Sequence, residues 1–232
     1  MELYRGKSKI VMHGDDAKSL TLHFTDNVTA LNGEKCETLP GKGAVCAAIS
    51  NLIFRYLEQG GIETHLLKVI DDTSVAAKKS EIVEVEVIIR NFAAGGFVKK
   101  YGVQEGEEFN PPVVEFCVKS DKLGDPLVNE SQIIALRIAT ADELAEMEHQ
   151  ALHINELLCK LFAKTKIRLV DFKLEFGRYE GRLILCDEIS PDSCRLWDIE
   201  TGEKLDKDRF RQNLGGVTNS YNEVLSRLSD ID

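Results

Sequence analysis

The stretch LVDFKLEFG, residues 169–177, decides how the middle of the chain folds. Charged and apolar residues alternate within it, which predicts a β-strand over residues 168–176. Successive side chains of a strand point to opposite faces, so one face is charged and the other apolar: Asp171, Lys173 and Glu175 oppose Phe172, Leu174 and Phe176. For an arbitrary run of this kind, the favoured interpretation is the solvated face of an edge strand, but the acidic segment that follows makes that interpretation less favoured in this chain.

A second strand is predicted over residues 182–189, after the segment GRYEG, which suits the turn of a hairpin. The acidic run CDEISPD ends this strand, and carboxylates at a strand end beside a loop are typical Mg²⁺ ligands. Glu175 and Asp187 are the natural metal-binding pair. A regular hairpin centred on Tyr179 and Glu180 would stagger them by about three residues, roughly 10 Å along the strands, so joint coordination needs a twist, bulge or bend.

The remaining elements are read outward from this hairpin. The predicted strands cover residues 3–12 and 19–24, which form a front hairpin, then residues 62–70, 81–90 and 113–118. The predicted helices cover residues 44–59, a long segment that begins at a Thr140–Glu143 capping box, a short segment near residues 206–214, and residues 217–228. The fold class is therefore α+β. The fairest cut, near Ser80, separates a β-rich segment of residues 1–80 from a mixed segment of residues 81–232.

The composition excludes several classes of protein. Apolar residues make up 43% and charged residues 29% of the 232, which is an ordinary globular balance. A formal charge of -10 repels polyanions, so nucleic-acid binding is not expected, although a few converging cations could hold a small phosphorylated ligand. We find no membrane span, no signal core and no metal-like or disulfide-like cysteine spacing. The cytosol is the expected compartment.

Basic residues near glycines are the candidates for phosphate binding. Lys7 and Lys9 follow a glycine in the first strand, but the spacing is not that of a Walker A loop. Lys42, between two glycines, could be a ligand-binding or an ordinary surface lysine. Guanidinium groups bind phosphates and carboxylates bidentately, and three of them adjoin Gly-rich or turn segments: Arg90, Arg195 and Arg211.

Taken together, these segments resemble the SAICAR synthetase family, the phosphoribosylaminoimidazole-succinocarboxamide synthases of purine biosynthesis, in its compact bacterial form. The resemblance runs nearly end to end, and its motifs follow the family order: LYRGKSK, VEVIIRNFAAGG, NPP, DPLVNES, LVDFKLEFG, CDEISPDSCRLWD and DKDRFRQNLGG. Several long motifs in one register make the resemblance specific.

The resemblance implies a ligase that joins L-aspartate to the carboxylate of 5-amino-1-(5-phosphoribosyl)imidazole-4-carboxylate. ATP is cleaved to ADP and phosphate with Mg²⁺ present, through an acyl phosphate. The implied fold has two lobes that enclose an ATP cleft, related to the ATP-grasp and protein-kinase folds. Residues 1–80 would cover the ATP phosphates, and residues 81–232 would carry the metal, ribotide and aspartate sites. The resemblance also implies a homodimer.

Motif matching assigns a role to each candidate residue. Lys7, Lys9 and Lys119 would bind the nucleotide, Glu175 would serve the same site, and Glu175 with Asp187 would hold Mg²⁺. Arg90 and Arg195 would bind the ribotide phosphate beside Gly96. The ribotide and carboxylate region would be lined by Asp171, Lys173, Asp192 and Arg211, with Lys173 steadying the carboxylate that is activated.

This chain departs from the family pattern at a few positions. Gly96 stands where the family has a serine, so one hydroxyl contact to the ribotide phosphate is lost and backbone N–H groups must substitute. Leu31 and Asn32 stand where glycine and aspartate are expected. Glu84 replaces a proline, which we expect to have no functional consequence.

Two other functions fit the same residues. The first is a simple phosphotransferase, although the HRD and DFG motifs of protein kinases are absent. The second is a nucleotide-binding regulator without chemistry, against which the presence of Lys173, Glu175 and Asp187 argues.

Overall fold

Two large antiparallel sheets frame the computed structural model, which describes residues 1–30 and 33–231. The departures at Leu31 and Asn32 lie outside the described residues. The strands in chain order are β1 (Glu2–Arg5), β2 (Lys9–His13), β3 (Ser19–Phe24), β4 (Asn27–Ala30), β5 (Lys35–Thr38), β6 (Leu66–Val69), β7 (Ser74–Lys78), β8 (Glu81–Phe92), β9 (Glu108–Val118), β10 (Leu127–Val128), β11 (Ile167–Tyr179), β12 (Arg182–Cys186) and β13 (Cys194–Asp198). The helices are α1 (Lys42–Gln59), α2 (Gly96–Tyr101), α3 (Glu130–Ala135), α4 (Ala141–Lys164), α5 (Asp208–Arg211) and α6 (Val217–Ser229).

The two large sheets fall on either side of residue 80. The first has the strand order β1-β2-β3-β7-β6, and the second has the order β10-β9-β8-β11-β12, with β13 also paired to β11. The sheets nevertheless share one hydrophobic core, in which Ile49 and Phe54 of α1 belong to the same cluster as Tyr221 and Val224 of α6. The predicted α+β class is confirmed.

The long helix α4 confirms the prediction made from its capping box. The Glu143 backbone N–H donates to Thr140 Oγ1 at 3.2 Å, and the Thr140 N–H donates to Glu143 Oε2 at 2.9 Å. The apolar stripe from Leu144 to Leu161 is buried. No helix of residues 1–30 and 33–231 is long and apolar enough to cross a membrane.

The predicted single strand over residues 3–12 is wrong, because the chain turns back within it. β1 pairs antiparallel with β2, and the Gly6 N–H donates to the Lys9 carbonyl oxygen at 2.8 Å. The sequence therefore builds a tight hairpin where one strand was expected. Lys7 lies at its tip with 43% of its side chain exposed.

Other strand predictions need correction in length. The strand expected over residues 62–70 is regular only in β6, and the one expected over residues 113–118 is the end of the longer β9. The strands β4, β5, β7, β10 and β13 were not predicted. β7 shows why: its residues SVAA are all buried, so no alternation of apolar and polar residues marks them.

The interpretation of β11 as a solvated edge strand is wrong. β11 lies inside the second sheet, where it pairs with β8, β12 and β13. Its apolar face packs in the core, and on the charged face Asp171 and Glu175 are each only 4% exposed. The sheet therefore buries a row of charges, and each of them needs a partner.

The carboxylate of Glu143 gives a prediction for the stability of α4. Arg178 Nε donates to it at 2.5 Å, and this hydrogen bond, together with the one from the Thr140 N–H, lowers the pKa of Glu143 to about 2 despite partial burial. Replacing Glu143 with alanine removes the reciprocal cap and the partner of Arg178, so we expect a loss of about 1–2 kcal/mol in the free energy of unfolding.

Thermal unfolding at pH 7 measures this loss, with Glu156→Ala as the control, since Glu156 is exposed in the same helix. A carboxyl with a lowered pKa stabilises the fold above its ordinary pKa, and that stabilisation is lost as the pH falls toward 2. The difference between wild type and Glu143→Ala should therefore shrink from pH 7 to pH 3. A difference that is independent of pH would contradict the prediction.

Candidate active site

A cavity of about 610 Å³ is lined by residues of both large sheets. Every predicted site residue except Gly96 is among its lining residues. Nine basic and eight acidic side chains line it: Lys7, Lys9, Lys78, Arg90, Lys119, Lys173, Arg195, Lys207 and Arg211, against Glu86, Asp121, Asp125, Asp171, Glu175, Asp187, Glu188 and Asp192. Because the whole chain carries a formal charge of -10, this cleft repels anions far less than the rest of the surface.

Lys173 of β11 is the centre of the charged network in this cleft. Its Nζ lies 3.0 Å from Glu86 Oε1 and 3.3 Å from Asp187 Oδ2, and it also pairs with Glu175. Burial alone would lower the pKa of Lys173, but the charges of Glu175 and Asp187 raise it well above its ordinary value. The lysine is therefore a permanent cation among three carboxylates.

The strand register brings Glu175 and Asp187 closer than we expected. Glu175 pairs directly with Cys186, so Asp187 is displaced by one residue instead of three. The hairpin turns at Glu180 and Gly181, which both have positive φ angles of 49° and 80°. This turn lies one position further along than the expected centre, and each such step changes the stagger of the two strands by two residues.

Two further lysines neutralise these carboxylates from other elements. Lys9 Nζ lies 2.7 Å from Asp187 Oδ1 and also pairs with Glu188, while Lys119 Nζ lies 3.0 Å from Glu175 Oε1. Burial would raise the pKa of Asp187, but Lys9 and Lys173 outweigh it and hold that pKa well below its usual range. Both carboxylates of the predicted metal pair thus have several cations within reach.

The chemistry of the donor set fits Mg²⁺ at Glu175 and Asp187. Both offer carboxylate oxygens, the ligands that this hard cation prefers, and both contact the single ammonium of Lys173. Among the described residues, Cys46, Glu188 and Asp192 also converge, with ligand atoms within 4.8 Å of one another. That group includes a thiol, which Mg²⁺ disfavours, and the Lys42 ammonium already lies 2.6 Å from Asp192 Oδ2.

Two arginines converge on Asp171 at the other end of the cleft. Arg90 Nη1 donates to Asp171 Oδ2 at 2.6 Å, and Arg195 Nη1 donates to the same oxygen at 2.8 Å. Arg195 Nε is held at 3.0 Å by Asp208 Oδ2, and Arg90 Nε at 2.6 Å by Glu115 Oε2. The two guanidinium groups predicted to bind phosphate are therefore brought together and oriented.

Arg195 lies directly against the backbone of Gly95. A Cβ atom at Gly95 would lie 2.4 Å from Arg195 Nη2, and φ at Gly95 is +56°, so glycine is required there both for space and for conformation. At Gly96, a Cβ atom would meet nothing within 4 Å. The space beside Gly96 is open.

Arg211 and Lys207 approach the cleft from the segment around α5. Arg211 Nη1 donates to Asp208 Oδ1 at 2.5 Å. Sequence reasoning missed Lys207, although it stands in the same DKDRFRQ motif as Arg211. Burial lowers the pKa of Lys207, and no carboxylate of the described residues lies within ion-pair distance of it.

Asp192 lies in the wall of the cleft with its side chain only 5% exposed. Tyr221 donates to its Oδ1 at 2.7 Å, and Lys42 contacts its Oδ2. Sequence reasoning identified Asp192 but missed the roles of Lys42 and Tyr221. Glu188 was also left without a role, although it pairs with Lys9 and is 4% exposed.

The fold and the charged cleft define an α+β enzyme of the kind that handles phosphorylated, anionic substrates, and comparison with known proteins identifies its family. The SAICAR synthetase family model matches residues 2–228. The chain is 50% identical to the phosphoribosylaminoimidazole-succinocarboxamide synthase of Chlorobium luteolum, over 97% of this chain and 95% of the relative.

Comparison with solved structures identifies the same family. The crystal structure of the synthase of the same name from Ehrlichia chaffeensis matches with a TM-score of 0.97 and 41% identity, over 100% of both chains. A SAICAR synthetase in complex with ADP matches with a TM-score of 0.95 and 40% identity, over 99% of this chain and 98% of that one. The chain belongs to the SAICAR synthetase family. The predicted family, its fold and its ligase activity are confirmed.

The contact between Gly95 and Arg195 gives a prediction with a matched control. Gly95→Ala forces a Cβ atom into the guanidinium group and into a backbone conformation that only glycine adopts easily, so we expect a loss of about 2 kcal/mol or more in the free energy of unfolding. Gly96→Ala, one residue away in open space, should change it by less than about 0.5 kcal/mol. Chemical denaturation of both variants measures the difference, and equal stabilities would refute the assigned contact.

Proposed function

We propose that the described cleft joins L-aspartate to the carboxylate of the imidazole ribotide at Lys173, with ATP cleaved to ADP and phosphate. The observation that carries the proposal is the placement of Lys173 between Glu175 and Asp187 at the centre of the cleft. A cation there can steady a substrate carboxylate directly beside carboxylates suited to a metal ion. Membership of the SAICAR synthetase family supports the same reaction.

The nucleotide is assigned to the side of the cleft that carries lysines. Lys7 and Lys9 reach it from the front hairpin and Lys119 from the segment after β9, and ammonium groups bind phosphates as point charges. Residues 1–80 would thereby cover the phosphates, while residues 81–232 would hold the other substrates. The relative with bound ADP supports nucleotide use by this fold.

Glu175 and Asp187 are proposed to hold Mg²⁺. When bound, the ion would offset the negative charge of the ATP phosphates. Without it, Lys9, Lys119 and Lys173 balance the same two carboxylates. The negative charge of both carboxylates is therefore balanced under either condition.

The ribotide is assigned to the side of the cleft that carries arginines. Arg90 and Arg195 form a double guanidinium fork for its phosphate, and the open space at Gly96 leaves room for a phosphate oxygen. Asp171 orients the two arginines, and Asp192 lies in the wall of the same cleft. Because Gly96 has no hydroxyl group, the backbone must supply the contact that a serine would make.

The chemistry has two steps, because a carboxylate is a poor acceptor for an amine. A carboxylate oxygen of the ribotide first attacks the γ-phosphorus of ATP, which forms the acyl phosphate and releases ADP. The amine of L-aspartate then attacks the acyl carbon, the C–O bond to phosphate breaks, and the amine loses a proton. Lys173 offsets charge on the carboxylate oxygens in both steps.

We further propose that Lys207 and Arg211 receive the carboxylates of L-aspartate. Both line the cleft, and burial lowers the pKa of Lys207 below its ordinary value. A carboxylate would restore a favourable environment to its charged form. Arg211 adds a fork that can bind a second carboxylate oxygen.

The proposal extends to a homodimer in the cytosol. Membership of the family supports the dimer. The cytosol is supported by six unpaired thiols: Cys36, Cys46, Cys117, Cys159, Cys186 and Cys194. Unpaired thiols are typical of a reducing compartment. Light scattering of the purified chain measures the oligomeric state directly.

Phosphate release from ATP is the decisive test of the proposed reaction. We expect release only when both the imidazole ribotide and L-aspartate are present, with one succinocarboxamide product formed per phosphate. Chromatography of the products with each substrate omitted in turn supplies the controls. Phosphate transfer to the ribotide alone, with a stable phosphorylated product, would establish a kinase, and ATP binding without turnover would establish a regulator.

Asp187→Asn tests the proposed metal site. Asparagine tolerates the positive φ of +61° at this position, so the fold should survive while one anionic ligand is lost. We expect kcat to fall by about 100-fold or more, with an unchanged far-UV circular dichroism spectrum. The control is Asp72→Asn, at an exposed position. Retained activity in Asp187→Asn would remove that carboxylate from the metal site.

A further inference from the structure

A buried ion pair ties the start of α1 to the wall of the cleft. Lys42 is only 1% exposed, and its Nζ lies 2.6 Å from Asp192 Oδ2. These residues are far apart in the sequence, and their side chains are only 1% and 5% exposed. A lysine this deeply buried is uncommon unless it is paired.

A second helix holds the other oxygen of the same carboxylate. Tyr221 of α6 is fully buried, and its hydroxyl group donates to Asp192 Oδ1 at 2.7 Å. Oδ2 is inaccessible to solvent and has no hydrogen-bond donor among the described residues besides its ion-pair contact with Lys42. Oδ1 retains a free lone pair, because a carboxylate oxygen can accept two hydrogen bonds. Oδ1 is therefore the atom that can face a ligand in the cleft.

The surrounding charges keep this carboxylate ionised. Burial alone would raise the pKa of Asp192, but Lys207 and Lys42 lower it to about 2. Near neutral pH the group is therefore an acceptor and not a donor. Its orientation is then set by contacts from α1 and α6, which pack against each other in the shared core.

Stability alone is a weak explanation for such an arrangement. Removing two charges from water costs about as much as their attraction returns, and apolar replacements of buried pairs are often more stable. A fixed geometry at a binding site is a better-supported use of buried polar groups. Because Asp192 lies in the cleft wall, a fixed orientation of its carboxylate can serve ligand binding.

We infer that Lys42 and Tyr221 are positioning residues, which fix the carboxylate of Asp192 so that its Oδ1 accepts a hydrogen bond from the ribotide. The inference rests on the proposed function, in which the ribotide lies against Asp192. Neither Lys42 nor Tyr221 touches the substrate. Each acts through the orientation of one carboxylate, so ribotide binding should depend on two helices that lie outside the cleft.

Tyr221→Phe is the sharpest test, because it removes one hydroxyl group and keeps the ring that fills the core. We expect KM for the ribotide to rise by about 10-fold, as for the loss of one hydrogen bond to a charged group. The KM for ATP and kcat should each stay within about three-fold. Tyr56→Phe in α1 is the matched control, because the Tyr56 hydroxyl group forms no hydrogen bond with the described residues. The kinetics of this variant should equal those of the wild type.

A double-mutant cycle with Asp192→Asn separates positioning from general stability. If Tyr221 acts through Asp192, Tyr221→Phe should raise the ribotide KM in the wild type and leave it unchanged in the Asp192→Asn background. Lys42→Met, where it folds, should behave in the same way. Equal effects of Tyr221→Phe in both backgrounds, or a wild-type KM for Tyr221→Phe, would overturn the inference. A wild-type enzyme that makes no succinocarboxamide would instead overturn the proposed function, and this inference with it.

Discussion

Burial of a charged row inside a sheet is the constraint on which the rest of the structure depends. β11 lies between β8 on one side and β12 and β13 on the other, and Asp171 and Glu175 on its charged face are each only 4% exposed. Every unpaired charge in such a place would cost several kcal/mol. The neighbouring elements therefore have to supply ions of the opposite sign, and the residues that supply them are the candidate site. The ion pairs that compensate the charges of β11 are therefore the same contacts that build the candidate site.

The turn between β11 and β12 determines which charges meet. Glu180 and Gly181 adopt the positive φ angles of a two-residue hairpin turn, and the resulting register places Asp187 one residue beyond the partner of Glu175. A shift of this turn by one position would change the stagger of the two strands by two residues and move Asp187 away from Lys173. The proposed metal site thus depends on a turn at the other end of the hairpin.

Local signals in the sequence were enough for some elements and not for others. The capping box and apolar stripe of α4 are contained within one segment, so Thr140 and Glu143 could be identified without knowledge of the fold. Motifs identified most of the charged residues that line the cleft. Their partners did not, because the Lys42–Asp192 and Tyr221–Asp192 contacts join segments that only tertiary packing brings together. β7 escaped prediction for the related reason that burial on both faces removes the alternating pattern.

The two ends of the cleft differ in the kind of cation that they use. Lysines on separate elements surround Glu175 and Asp187, and an ammonium group on a flexible stem can change partners as ligands arrive and leave. Arg90 and Arg195 both donate to Asp171, and their planar guanidinium groups also donate to Glu115 and Asp208. Such a fork favours one orientation of its ligand. This difference matches the proposed chemistry, since phosphates and a metal ion must be exchanged at one end in every cycle, while the ribotide must stay in one orientation through two successive attacks.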